Sequence, residues 1–264
     1  MAALASPMAR GGERAGSTPT VGEGPAIVIV PLESPPLSLG PGIKIEDVLA
    51  AHAGAAMSWS SSAAAAEAGR AMYVLSGIMI LANLPAQSRV ADRRAESAEA
   101  LLNADDAWLP TVVLAEEARA LLAEGGPGEA RVSPQLRAVR GIEKRERTIT
   151  MHNWYQPIKD WYDMSTTPFS YVEPEVARGE RVLEVGLANY ELGPGRVLYL
   201  LVSTKLVDPV SGKVLSEARK FVYPETADPK VLFAGDASAF KQAFAAAGRA
   251  ALKDDLRTIG LIRK

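Results

Sequence analysis

General acid–base catalysis near neutral pH is most often carried by histidine. This 264-residue chain holds two, His52 and His152, about a hundred residues apart and with no metal-ligand spacing around either. The sequence contains no cysteine, which removes thiolate nucleophiles, disulfides, cysteine zinc sites and the lipid-acceptor cysteine of a bacterial lipoprotein. The adjacent carboxylates Asp105-Asp106, Glu116-Glu117 and Asp254-Asp255 fall on expected helix surfaces or caps, where solvated charge is the ordinary state. Glycines cluster at 125, 126 and 128 and at 193 and 195, but without the flanking residues of a phosphate loop or a dinucleotide fingerprint, so they read as turn glycines. No nucleophile elbow, zinc helix or calcium loop occurs. These residues predict a protein that is not an enzyme and needs no cofactor or metal. The competing reading, a site assembled from distant residues, requires a pocket that sets His152 beside a carboxylate.

One segment concentrates side chains suited to recognition. His152 to Tyr171 (HNWYQPIKDWYDMSTTPFSY) carries Trp154, Tyr155, Trp161, Tyr162, Phe169 and Tyr171, six of the 16 aromatic residues (Trp 4, Tyr 7, Phe 5). If Trp154 to Tyr162 is helical, Trp154, Ile158 and Trp161 share one face while Tyr155 and Tyr162 share a neighbouring one. One stripe then faces the core and the other faces outward, which makes the segment the candidate partner-binding surface. The alternative is that both stripes pack, one on a sheet and one under the loop at 165–174. Stacking on sugar rings is a third reading.

The elements that must position this segment are legible in outline. Ala26 to Val30 is a short β-branched run ended by Pro31, the pattern of a fully buried strand. The prolines and glycines from Pro31 to Gly42 predict an extended linker outside any sheet. Residues 45–85 are alanine-rich and predict one or two helices. Within them Ala71 to Ala86 (AMYVLSGIMILANLPA) is uncharged and is followed by Arg89, Arg93 and Arg94. Spanning a bilayer takes about 20 residues. Tyr73, Leu75, Ile78, Ile80 and Leu81 are therefore candidates for a buried or subunit-contact helix, with membrane insertion as the alternative. Leu109 to Glu124 predicts an amphipathic helix stopped by glycines, and Arg131 to Arg140 an edge strand broken at Pro134. Glu143 to Arg147 is a solvated charge run.

Arg181 to Leu192, Val197 to Val207 and Val214 to Tyr223 are three β-rich runs joined by two short turns, which predicts an antiparallel three-stranded meander. A bulge is expected in the third run, because Glu217 and Arg219 share a face with Leu215 and Phe221. Ala237 to Leu256 predicts a closing helix with Phe240, Phe244, Ala247, Ala251 and Leu252 on its buried face. The fold class is α/β (α+β), with a helix-rich first half and a meander plus additional strands packed against helices. Residues 1–24 read as a disordered tail by composition, and 25–264 as a single domain with a helical insertion at about 45–124.

Hydrophobic residues make up 48% of the chain, enough for a sizeable core. With 29 basic against 31 acidic residues there is no field to attract nucleic acid. The turn Leu206-Val207-Asp208-Pro209 through Ser211-Gly212-Lys213-Val214-Leu215, set between a short first strand, helices and a closing helix, resembles bacterial cell-envelope accessory proteins. These are the ABC-type transport auxiliary and curli-secretion-like groups, whose domains are similar to the amino-terminal domain of the Tol-Pal propeller protein. Ser216 departs from the aromatic that often follows that hairpin. The apolar run with its arginine flank at 71–94 also resembles small envelope lipoproteins. The resemblance implies a non-catalytic accessory or assembly protein that binds a protein partner or a membrane complex in the periplasm or envelope. The residues from Met1 to Gly24 show no apolar export signal, which makes the cytoplasm the alternative. A second reading is a structural subunit of a larger multi-subunit particle, with self-association as its mark.

Overall fold

The structure is a computed structural model. It describes residues 25–40, 102, 108–126, 128–139, 151–234 and 236–263, with backbone alone at 151–153. The expected tail, the expected helices of 45–85, Tyr73, Leu75, Ile78, Ile80 and Leu81, His52 and the charge run at 143–147 lie outside the described residues. So does most of the expected helix-rich first half.

A mixed six-stranded sheet organises the rest. Strand β1 (Ile27–Pro31) is buried along its whole length, as its β-branched side chains require, and pairs in parallel with two neighbours. Those neighbours are β3 (Ala130–Val132) and β4 (Arg181–Gly193). β4 pairs antiparallel with β5 (Val197–Val207), and β5 antiparallel with β6 (Val214–Val222), so β3 and β6 are the two edges. The Pro31 to Gly42 stretch departs from expectation. Ser38 and Leu39, two of the three residues between Pro36 and Gly40, form a two-residue strand β2 (Ser38–Leu39) on the end of β4, and Leu37 beside them is fully buried. The expected strand at 131–140 is shorter than its alternation suggested. Pairing stops before Pro134, which has no N–H to give, and resumes as a single bridge between Leu32 and Arg137.

One face of the sheet carries an apolar layer of two helices. These are α1 (Pro110–Gly125) and, closing the chain, α4 (Ser238–Thr258); Phe240, Phe244, Ala247, Ala251 and Leu252 of α4 are buried as their spacing predicted. Gly248 of α4 faces Leu114, where a Cβ would stand 2.2 Å from a leucine methyl, so the missing side chain sets how closely the two helices meet. Arg249 of α4 ties their outer rims through Glu117 at 3.0 Å and Glu124 at 2.6 Å. The short helix α3 (Pro229–Leu232) is capped by the Asp228 side chain, which accepts from the Lys230 N–H.

The opposite face is covered by helix α2 (Met151–Asp163) and by the chain that follows it to Val176. Trp154, Ile158 and Trp161 lie on Leu32 and Ala188, and the Trp154 indole N–H donates to the Leu187 carbonyl at 3.1 Å. Gly186 of β4 makes room for the helix, since a Cβ there would meet the Trp161 ring at 2.9 Å and Ile158 at 3.3 Å. The expected irregularity in β6 is present: Val207 pairs with Val214 and Leu206 with Ser216, leaving Leu215 without a partner on β5. The mixture of Leu215, Glu217, Arg219 and Phe221 on one side has a separate cause, because all four lie on the exposed face of an edge strand.

Replacing Gly186 by alanine forces the Trp161 ring away from β4, and we expect a loss of about 1–3 kcal/mol in urea unfolding. An unchanged midpoint would contradict the close approach of α2.

Candidate functional site

The polar groups with the most unusual surroundings are Glu184 and Lys205, directly opposite each other on β4 and β5 and both with no exposed surface. In sequence, Glu184 alternates with Leu183, Val185 and Leu187, so it should face water. Instead α2 and the following chain close over it. The Glu184 carboxylate accepts from the Trp161 indole at 2.7 Å, from the Tyr171 hydroxyl at 2.7 Å and from the Thr167 hydroxyl. The Lys205 ammonium donates to the carbonyls of Trp161 at 2.5 Å and Met164 at 2.6 Å, in the last turn of α2 and just past it. It also lies 5.2 Å from the Trp161 ring centre and 5.8 Å from that of Tyr162. Burial pushes the Glu184 carboxyl above its usual range, while its three donors and Lys205 pull it back. Burial likewise lowers Lys205, against the pull of Glu217 and Glu184, and raises the Tyr171 hydroxyl.

This arrangement resembles an acid–base pair in composition but not in access. Every donor and acceptor named is part of the protein, and neither charged group reaches the surface. What the pair does is hold α2 and residues 164–171 against the sheet. A second polar cluster extends the same cover toward β3. Arg137 pairs with Glu175 and lies over the Tyr171 ring at 5.5 Å, and Arg131 pairs with Glu180 at 2.8 Å and donates to the Glu175 carbonyl at 2.5 Å.

On the helical face of the sheet, Asp255 of α4 is 2% exposed and accepts from the Thr204 hydroxyl at 3.4 Å. Burial pushes its carboxyl up to about 7, with repulsion from Asp254 adding to the effect. It borders a shallow groove between β6 and α4 that Lys220, Asp254, Arg257 and Thr258 also line.

The aromatic candidates divide as a two-stripe helix must. Trp154 and Trp161 have 0% and 1% exposure, and Tyr171 has 8%, so these three are core side chains and leave the candidate contact surface. Phe169 is half-buried against Val28 and Trp154 and their neighbours. Tyr155 is 42% exposed, and Tyr162 is half-buried beneath the Arg219 guanidinium, which stands 3.7 Å from its ring centre. Of His152 only the backbone in α2 is described. Among the described residues no group of three or more histidine, aspartate or glutamate side chains could hold a metal, and no helix is long and apolar enough to cross a membrane.

Sequence reasoning missed a further surface. β5 and β6 extend past the edge of α2, and there Tyr199 stacks on Phe221 at 6.0 Å with 17° between planes, while Phe221 leans on Tyr223 at 5.7 Å. Phe221 is 41% and Tyr223 65% exposed. The signal was available: Phe221 and Tyr223 are two apart on a strand, hence on one face, the same face as Glu217 and Arg219.

No family model matches the chain and no curated protein matches it, so the families suggested by the Leu206 to Leu215 hairpin gain no support from that side. Solved structures give distant likenesses. PelC of Paraburkholderia phytofirmans, crystallised as a dodecamer, is 11% identical with a TM-score of 0.32, over 58% of this chain and 77% of that one. A DUF330 protein of Xanthomonas campestris is 9% identical with a TM-score of 0.35, over 88% of this chain and 85% of that one. Values this low give no basis for carrying residue roles across.

The Asp255 carboxyl predicts a pH effect of definite sign. Its folded value of about 7 stands above the ordinary 3.8, so the stability it contributes is fully present below pH 4 and is lost as pH rises through 7. At about 1.4 kcal/mol per pH unit the loss is on the order of 4 kcal/mol. Asp255→Asn should remove that fall, and unfolding curves at pH 5 and pH 8 will show it. An equal pH dependence in both proteins would contradict the burial of this group.

Proposed function

We propose that this protein is a non-catalytic accessory or assembly protein of the bacterial cell envelope, and that it holds a protein partner on the half of its sheet that α2 leaves open. The observation that carries the reading is the aromatic strip of half-buried Tyr199 with exposed Phe221 and Tyr223, running from β5 across β6 to the residue just past its end. Tyrosine and phenylalanine give large contact area with few rotatable bonds, and aromatic anchors of this kind dominate binding energy where they occur. Tyr155, on the outward stripe of α2, adds an aromatic from the helical side.

Two further considerations support the reading. Glu184, Lys205 and Tyr171, the titratable groups beneath α2, are enclosed and hydrogen-bonded within the protein, where a substrate has no route to them. The envelope location rests on the resemblance of the Leu206 to Leu215 hairpin to envelope accessory proteins.

The test is crosslinking in cells followed by capture from membrane and soluble fractions, with the intact protein and a Tyr155→Ala, Tyr223→Ser variant side by side. Both substitutions are at exposed positions, so folding stability should change by no more than about 0.5 kcal/mol. Recovery of envelope partners should fall on the order of tenfold. Equal recovery by the variant, or no partner for the intact protein, would sink the proposal.

A further inference from the structure

The edge strand β6 carries a pattern that a second copy of the same strand would match. It pairs with β5 on one side only, and among the described residues no other strand pairs with its outer side. Only its beginning is occupied there. Residues 165–167 take the outer backbone groups at 212–214, with Thr167 N–H donating to the Gly212 carbonyl at 2.8 Å and Val214 N–H to the Ser165 carbonyl at 3.0 Å. Among the described residues the outer edge is therefore open from Leu215 to Phe221. A run of unpaired strand edge this long is a template for pairing, and natural sheets either blunt it or use it.

We propose that two copies of this chain join edge to edge through β6, antiparallel about a two-fold axis at Ala218, making one continuous sheet across the pair. In this register Glu217 stands opposite Arg219 of the second copy, and Arg219 opposite its Glu217. Leu215 stands opposite Phe221, and Phe221 opposite Leu215. Each pair lies on the face away from α4, where all four side chains are exposed. Directly opposite residues are the ones that interact across antiparallel strands, and like charges in that relation destabilise.

The choice of register follows from those charges. Among two-fold axes perpendicular to the sheet, shifting to Glu217 opposes two glutamates, and shifting to Arg219 opposes two arginines. The axis at Ala218 alone among these three sets opposite charges together and apolar residues together.

The rows within one copy lead to the same axis. Glu184 pairs with Lys205 and Lys205 with Glu217, while Gly186 pairs with Ser203 and Ser203 with Arg219. Across the axis the first row continues as Glu184, Lys205, Glu217, then Arg219 of the second copy, an unbroken alternation of sign. Glu217 is held within its own copy only at 4.0 Å from Lys205, which leaves its carboxylate available to a closer partner. The shallow groove between β6 and α4, lined by Ala218, Lys220, Asp254 and Arg257, opens at this same edge, so the second copy would close it. An isologous contact of this kind closes on itself and stops at two copies. The inference goes beyond the function proposed above and does not depend on it, since the strip at Tyr199 and Tyr223 can serve a partner in either state.

Charge reversal tests it. In sedimentation equilibrium the full chain should run at twice its 28.0 kDa mass. Glu217→Arg, which opposes arginine to arginine on both sides of the axis, should run as a folded monomer over the concentrations at which the unaltered protein is a dimer. Adding Arg219→Glu to that variant reverses both members of each pair and should restore the dimer. Because the chain has no cysteine, Glu217→Cys with Arg219→Cys supplies a second readout: oxidation should link two chains covalently. A monomeric unaltered protein, an oligomer indifferent to Glu217→Arg, or oxidation without a linked pair would each overturn the proposal. So would a monomer whose outward amides at 217, 219 and 221 resist hydrogen exchange, which would show that the same chain already covers the edge.

Discussion

A glutamate and a lysine side by side in the middle of a sheet, both without access to water, are tolerable only if the surrounding groups supply each of them with several hydrogen bonds. Removing either charge from water costs several kcal/mol, and the mutual attraction of the two does not by itself offset that. In this protein the missing partners come from one stretch of chain. Trp161, Thr167 and Tyr171 donate to Glu184, and the carbonyls of Trp161 and Met164 accept from Lys205. The position of α2 and of residues 164–171 is thus tied to these two buried strand residues. A half-satisfied network of this sort would be worse than an apolar surface, so the segment must dock as a unit or leave the pair exposed.

The two faces of the sheet are built on different principles as a result. The α1 and α4 layer is mainly apolar, joined by leucine, alanine and phenylalanine contacts with Arg249 clasping the rim. The α2 layer is narrow and specific, with two tryptophans whose N–H groups are both engaged. Because α2 is short and is fixed over β4, its cover ends before the far half of β5 and β6. Phe221 and Tyr223 are exposed beyond that cover, and β6 is an edge because it ends the strand order.

The sequence made the long elements legible because their signals are periodic and local. β1 is a β-branched run ended by proline, α4 repeats phenylalanine and alanine at helical spacing, and the three long strands are separated by turns whose glycines are needed, Gly195 and Gly212 both having positive φ. The stripe geometry of 154–162 was also legible, including which residues share a face. What could not be read was which side of β4 receives that helix. Glu184 looks like a solvent-facing residue by alternation, and only the distant Trp161, Thr167 and Tyr171 reveal that it is enclosed. The same limit concealed β2, whose two residues pair with the far end of a strand about 150 positions later, and the strip at Tyr199, Phe221 and Tyr223, whose exposure depends on how far α2 reaches.

The most direct measurement is residue-resolved hydrogen exchange on the intact protein and on Glu184→Ala. The account predicts that removing the acceptor frees Trp161, Thr167 and Tyr171 together, so protection collapses through 154–171 while amides of 238–258, on the other face, keep most of theirs. Protection that falls equally in both regions, or in neither, would contradict the claim that the buried pair holds α2 in place.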